Sequence, residues 1–245
     1  MESNPELAAT PESEAQEKPL NFMGRLTGIF SAPMKTLADI AARPNYMAPL
    51  IIILVGVLIL TQISLPALLS DSETAIEKSL EGRNLPPDQM DRAREISMSM
   101  TRNFGAISAT LYSLISYILA SAVLLFIGNI VLGGKASFRQ LFSICSWTGL
   151  VGLLGYIIRV PLALSQGTMK VFFGPAVLLP TEAEQTTLFR ILAALDVFSL
   201  WRAALLALGF AAVYKISKGK GFVAVGSLYV LQVVLSVALG GIFGR

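Results

Sequence analysis

Few side chains in this sequence could do chemistry. The 245 residues include no histidine and a single cysteine, Cys145. Without histidine, Ser-His-Asp and Cys-His nucleophiles and His-x-x-x-His metal sites are unavailable. A lone cysteine allows neither an internal disulfide nor a cysteine metal cluster. What remains is three ionisable residues set in apolar stretches, Arg159, Asp196 and Arg202, and in lipid such residues are costly enough to need a reason. Asp196 is the only acid among them, so it cannot form the proton-sharing carboxylate pair of intramembrane aspartyl proteolysis and makes a poor proton relay. The expected arrangement is an ion pair between Arg159 and Asp196 on neighbouring helices near one membrane boundary. Arg202, about 9 Å further along the helix than Asp196 at 1.5 Å per residue, joins the same pocket or seeks a lipid phosphate. Gly133-Gly134-Lys135-Ala136-Ser137 looks like a fragment of a phosphate loop. It lacks the full GxxxxGK[ST] pattern and a preceding strand, and is expected to be a turn. No catalytic residue, cofactor or metal is expected.

The elements that position these residues follow from composition. The chain is 54% hydrophobic and 14% charged, more apolar than a soluble fold needs, and its apolar runs reach about 20 residues, enough to cross a hydrocarbon slab of roughly 30 Å. The expected class is all-α: a polytopic membrane helical bundle with about five transmembrane helices, an N-terminal amphipathic segment and a helical loop between the first two spans. The spans are expected at Ala48–Leu69, Ile107–Leu132, Leu141–Leu164, Leu192–Tyr214 and Val223–Phe243. Gly133 and Gly134 should stop the second helix and Ser137 should cap the third, making the second and third spans one hairpin and the fourth and fifth another. Gly149, Gly152 and Gly155, with Ser143 and Ser146, suggest close packing along the third span.

Residues 1–20 are acidic and rich in Pro, Ser, Glu and Ala, and are expected to be a disordered tail. They lack a basic n-region and an apolar h-region, so no cleaved signal is expected and the first span serves as its own insertion signal. Residues 21–245 form the membrane domain. Within it, Phe22, Leu26, Ile29 and Phe30 share one helical face with Arg25 off it, which suits either the membrane surface or packing on the bundle. Ser31 and Pro33 could cap and start a second short helix that ends at Pro44. The loop of residues 70–106 carries acids and bases together and is expected to hold two amphipathic helices outside the bilayer, broken at Gly82 and at Pro86-Pro87, with Asp88 or those prolines opening the second. Arg25, Lys35 and Arg43, then Lys135 and Arg139, then Lys215, Lys218 and Lys220 fall on one side. That side is the cytoplasm by the positive-inside rule, which places the N-terminus inside and Arg245 outside.

Several segments together, from about Phe22 to Gly240, resemble the YIP family of Ypt/Rab-interacting polytopic membrane proteins, and more closely its bacterial branch. IFSAPMKTLADIAARPNYMAPL, with Pro33 and Pro44, looks like the phrase that precedes that branch's first span, although Leu37 stands at the usual aromatic place. LGGKASFRQLFSICSWTGL, with Gly133 and Gly134, looks like the family's glycine-rich turn and third span. Most characteristic is LDVFSLWRAALLALGF, which fits a D.F..W...L...G phrase at Asp196, Phe198, Trp201, Leu205 and Gly209. The resemblance implies a five-span bundle with a cytoplasmic N-terminus. Eukaryotic relatives are associated with Rab GTPases and vesicle traffic, but function does not travel with fold.

The function expected is a non-enzymatic scaffold or adaptor in the bacterial inner membrane, organising lipids or other proteins. Its expected partners are membrane lipids and an unidentified membrane or cytoplasmic protein, with a homo-oligomer compatible and no nucleic acid, since no basic face is indicated. The alternative is a component of a permease for a small solute or lipid, working through Arg159, Asp196 and Arg202.

Overall fold

The structure is a computed structural model that describes residues 19–80, 86–180, 183–184 and 186–243, the last five of these by backbone only. Most of the expected acidic tail, the break at Gly82 and the terminal Arg245 lie outside the described residues. Among the described residues the regular structure is helical, an all-α membrane bundle. It consists of α1 (Phe22–Ser31), α2 (Pro33–Ala42), α3 (Met47–Ile63), α4 (Leu65–Leu80), α5 (Pro87–Phe126), α6 (Phe138–Gln166), α7 (Thr187–Ala194), α8 (Val197–Tyr214) and α9 (Lys218–Phe243).

The helix α6 forms the axis. Of its most apolar 18-residue stretch 72% is buried, against 33% for α8 and 11% for α9, so its surroundings are protein rather than lipid. It packs against α3, α5 and α8, while α9 leans on α8 from outside. Among the described residues, four helices are long and apolar enough to cross a membrane, namely α5 with its continuation, α6, α8 and α9. The fifth, α3, has 17 residues and reaches about 25 Å, at the lower end of spanning length. It follows α2 after a turn of 115°, and this corner lies at the near end of the bundle, where α6 also begins, while α1 and α2 pack along α6 and α8, Leu37 reaching Gly209 and Phe30 reaching Trp201.

Several expected boundaries move. The first span does not run unbroken to Leu69: Pro66 has no N–H to bond the Gln62 carbonyl and its ring crowds it, so the helix breaks at the buried Ser64 and restarts as α4. The second span is not preceded by a separate helix ending near Ala106. Pro87, at the first helical position, opens a single 40-residue helix that continues as a π-helical turn over Ile127–Val131. Charged residues do not interrupt a helix, so one rod of about 68 Å includes both the expected amphipathic helix and the span. The fourth span does not begin at Leu192, because α7 ends at Ala194 and α8 starts at Val197. Finally, Ser31 closes α1 by bonding back to the Thr27 carbonyl and does not cap α2, whose N-cap is Ala32 with Pro33 following.

Local signals hold elsewhere. Gly133 adopts φ +67° after the second span, where a side chain would be strained. The Ser137 hydroxyl accepts from the Gln140 amide, and the Gln140 side chain returns the bond to the Ser137 amide, a complete capping box for α6. The α1 face differs from expectation: Arg25 is buried with Ile29, whereas Phe22 and Phe30 are partly exposed. Arg25 can be buried because its guanidinium meets the Asp39 carboxylate at 2.7 Å from α2, and a paired charge avoids most of the penalty of an isolated one.

Candidate functional site

At the far end of the bundle, opposite the corner between α2 and α3, the structure brings Arg159 and Asp196 together. Arg159 Nη2 lies 3.1 Å from Asp196 Oδ2. Asp196 is not inside a spanning helix. It is the N-cap of α8, and its Oδ1 accepts from the amides of Phe198 and Ser199 at 3.0 Å each. One carboxylate therefore serves two tasks, satisfying two orphan amides with one oxygen and neutralising an arginine with the other. The Arg159 guanidinium also stands 5.5 Å over the Phe173 ring. Its Nε is shielded from solvent and donates to nothing among the described residues.

Arg202 does not reach Asp196. It lies over the ring of Tyr117 on α5, 5.0 Å from the centroid, a cation–π contact worth roughly 0.5–2 kcal/mol according to its desolvation. Among the described residues it has no carboxylate partner. Gly149 on α6 admits the Tyr117 ring, whose hydroxyl would stand 2.5 Å from a Cβ there, and Arg202 Cδ passes Gly152 at ordinary contact distance, 3.8 Å from where a Cβ would be. Arg159 and Arg202 instead share the wall of a cavity of about 370 Å³ between α3, α5, α6 and α8. Asp196 stays behind Arg159, outside that wall. The cavity's other polar atoms are hydroxyls, including those of Thr61 and Tyr156, which are hydrogen-bonded to each other at 3.0 Å.

The family-like phrase beginning at Asp196 takes on a physical meaning in this setting. After the cap, Phe198 fills the space left by Gly155, where a Cβ would come within 2.7 Å of its ring. Trp201 meets Phe30 of α1 edge-on at 5.7 Å. Leu205 is buried, and Gly209 admits Ile144, whose Cγ2 would stand 2.4 Å from a Cβ at that position. The phrase thus caps one helix and seats it against α6, α1 and α2. Gly134 likewise leaves room for the Tyr214 ring, and the Tyr214 hydroxyl bonds the Asn129 side chain at 3.0 Å. Asn129 in turn ties both backbone groups of Ala136. Pro33 starts α2, and Pro44 lies in the corner between α2 and α3.

Two polar constellations escaped the sequence reading. Asp39 joins Arg25 to Arg43 at the near end, and Asp71 on α4 accepts from the Thr168 hydroxyl at 2.6 Å and the Met169 amide at 2.8 Å. Asp71 falls within the expected external loop, yet it pins the chain leaving α6 to α4. Both could have been suspected only from charges close to helix ends, a weak signal without knowledge of which ends meet. Among the described residues, no group of three or more His, Cys, Asp or Glu could hold a metal.

Comparison with known proteins agrees with this architecture. A relative, the membrane protein YknW of Bacillus subtilis (strain 168), is 24% identical over 228 residues, 92% of each chain. No solved structure matches. The Yip1 domain pattern matches residues 27–240, nearly the whole bundle from α1 to α9, and the chain belongs to the Yip1-domain family of integral membrane proteins.

Proposed function

We propose that the chain is a non-enzymatic scaffold that presents a helical hairpin to another membrane protein. The observation that carries this reading is the part of α4 and α5 that projects from the far end of the bundle. The two helices are clasped there by Arg94, which meets Glu77 at 2.5 Å and Glu73 at 3.7 Å, and by a Ser72–Thr101 hydroxyl bond at 3.0 Å. Ile96 and Met100 are 60% and 61% exposed in a stretch that also carries Asp91, Arg92, Arg94, Glu95 and Arg102, a composition that suits water rather than lipid. Phe104, Ile107 and Leu111 continue the same exposed apolar strip toward the membrane. A strip that passes from water into lipid on one helix suits a partner helix that does the same.

The setting proposed is the bacterial inner membrane with a cytoplasmic N-terminus, supported by the Lys and Arg grouping at the near end. Photo-crosslinking in cells from a probe at Ile96, with Leu119 as a lipid-facing control, tests the reading. A reproducible protein adduct at Ile96 and none at Leu119 is expected, and lipid adducts alone at both positions would refute it. The alternative, a permease component, rests on the cavity lined by Arg159 and Arg202. A solute or lipid flux across reconstituted vesicles that Arg202→Gln abolishes would establish it.

A further inference from the structure

The geometry points to a groove at the near end of the bundle as the seat of one anionic phospholipid, with its phosphate at Arg139 and an acyl chain between α3, α5 and α6. This inference is independent of the hairpin's docking role. The groove encloses about 390 Å³, and each helix lends it two aliphatic or aromatic residues four apart: Tyr46 and Leu50 from α3 and its cap, Phe138 and Phe142 from α6, Ile118 and Leu114 from α5. In each pair the first-named residue is nearer the end where α3 and α6 begin and α5 leads into the glycine turn. The second lies about 6 Å further into the bilayer. Arg139, the second residue of α6, is the one charged side chain in the wall among the described residues. The charge thus stands at the mouth and the apolar wall runs inward, the order of a phospholipid entering from that leaflet. Ile118 and Phe138 are 41% and 39% exposed, so the groove opens toward lipid.

Arg139 has neither a hydrogen bond nor a carboxylate partner among the described residues, and the Tyr46 hydroxyl in the same wall has no hydrogen bond. A guanidinium and a hydroxyl suit phosphate oxygens. Arg139 also lines a second cavity, of about 460 Å³, with Arg25, Arg43 and Asn45. A glycerol headgroup can enter it, whereas a choline would meet guanidinium groups, because among the described residues no acid lines either space. The corner that frames the mouth is fixed beforehand. Trp147 Nε1 donates to the Asn45 carbonyl at 2.7 Å and Gln140 Nε2 to the Ala41 carbonyl at 3.1 Å. The Phe142 ring packs on those of Tyr46 and Phe138, at 5.0 and 5.4 Å between centroids. A lipid therefore finds the groove formed and loses little affinity in ordering it. A free phosphate ion would use Arg139 and leave the apolar walls uncovered.

The test is native mass spectrometry of the full chain in detergent, titrated separately with phosphatidylglycerol, phosphatidylcholine and inorganic phosphate. The wild type should retain one phosphatidylglycerol about tenfold more tightly than phosphatidylcholine, a margin of one charge-assisted contact, and millimolar inorganic phosphate should not displace it. Arg139→Gln should remove that preference, Arg139→Lys should keep most of it, and Ile118→Trp should weaken both lipids by filling the groove. Lys220→Gln, which removes an exposed charge at the same end, should leave the preference intact. Equal retention of the two lipids by the wild type, or displacement by inorganic phosphate, would overturn the inference even if a variant fails to fold. Unchanged preference in Arg139→Gln, or an equal loss in Lys220→Gln, would do the same.

Discussion

Replacing Asp196 separates the two tasks of its carboxylate. Asparagine keeps an oxygen that can accept from the Phe198 and Ser199 amides but loses the charge facing Arg159, while alanine loses both. The ion pair is partly open, with the Arg159 side chain 32% exposed, so its contribution is discounted to about 1 kcal/mol. An N-cap contributes about 1 kcal/mol as well. Asp196→Asn should therefore cost about 1 kcal/mol and Asp196→Ala about 2. For a chain of this length that corresponds to Tm losses of roughly 2–4 °C and 4–8 °C. The molecule supplies its own reporter, since Cys145 is a buried free thiol in the axial helix and is the only cysteine in the chain. A maleimide dye that fluoresces on reaction then reads unfolding directly during a thermal ramp in detergent. If the asparagine variant melts with the alanine variant, the cap contributes nothing. If it melts with the wild type, the ion pair contributes nothing, and either result refutes the division of labour.

Gly209→Ala should destabilise by about 1–3 kcal/mol through overpacking against Ile144, and Ile144→Ala in the same chain should recover part of the loss in the same thiol assay. Asn129→Ala should lower stability by about 2 kcal/mol, because the Ala136 backbone groups and the Tyr214 hydroxyl lose their common partner, and Tyr214→Phe should cost less than that. In a Cys145→Ala background, single cysteines at Arg139 and at Asp88 should label from opposite faces of the membrane with an impermeant maleimide. Labelling of both from one face would contradict the expected path of α5 through the bilayer.

The parts of the fold legible in the sequence are those set by local signals. Apolar runs locate the spanning helices because their length is dictated by the bilayer, and Gly133 and Ser137 mark a stop and a start because their roles need only neighbouring residues. Helix continuity was less legible. The charged stretch before Ala106 looked like a loop boundary, although Asp, Glu and Arg are acceptable helix residues in water and α5 runs straight through them. Conversely, the apolar stretch around Asp196 looked continuous, although an aspartate ahead of a helical run is an ordinary cap signal. Its apolar neighbours on both sides disguised the break. In the candidate site, the nearness of Arg159 and Asp196 could be anticipated from antiparallel spans. The separation of Arg202 from Asp196 could not, because it depends on Tyr117 of α5 being seated against Gly149 where Arg202 can reach its ring. The Arg25–Asp39 pair was hidden for a similar reason: the two residues meet only because α1 and α2 fold back on each other across Pro33, with Gly28 admitting Thr36 at the contact.

The helix that begins at Pro87 has no joint where it enters the membrane. The rod of about 68 Å is gripped along its inner half, where Tyr117, Ser121 and Leu124 are buried, so the outer arm takes its direction from the bundle. Its inner tip carries Asn129 and leads into the glycine turn where Tyr214 is lodged. The hairpin and the glycine turn are therefore the two ends of one uninterrupted element, and the orientation of one fixes that of the other.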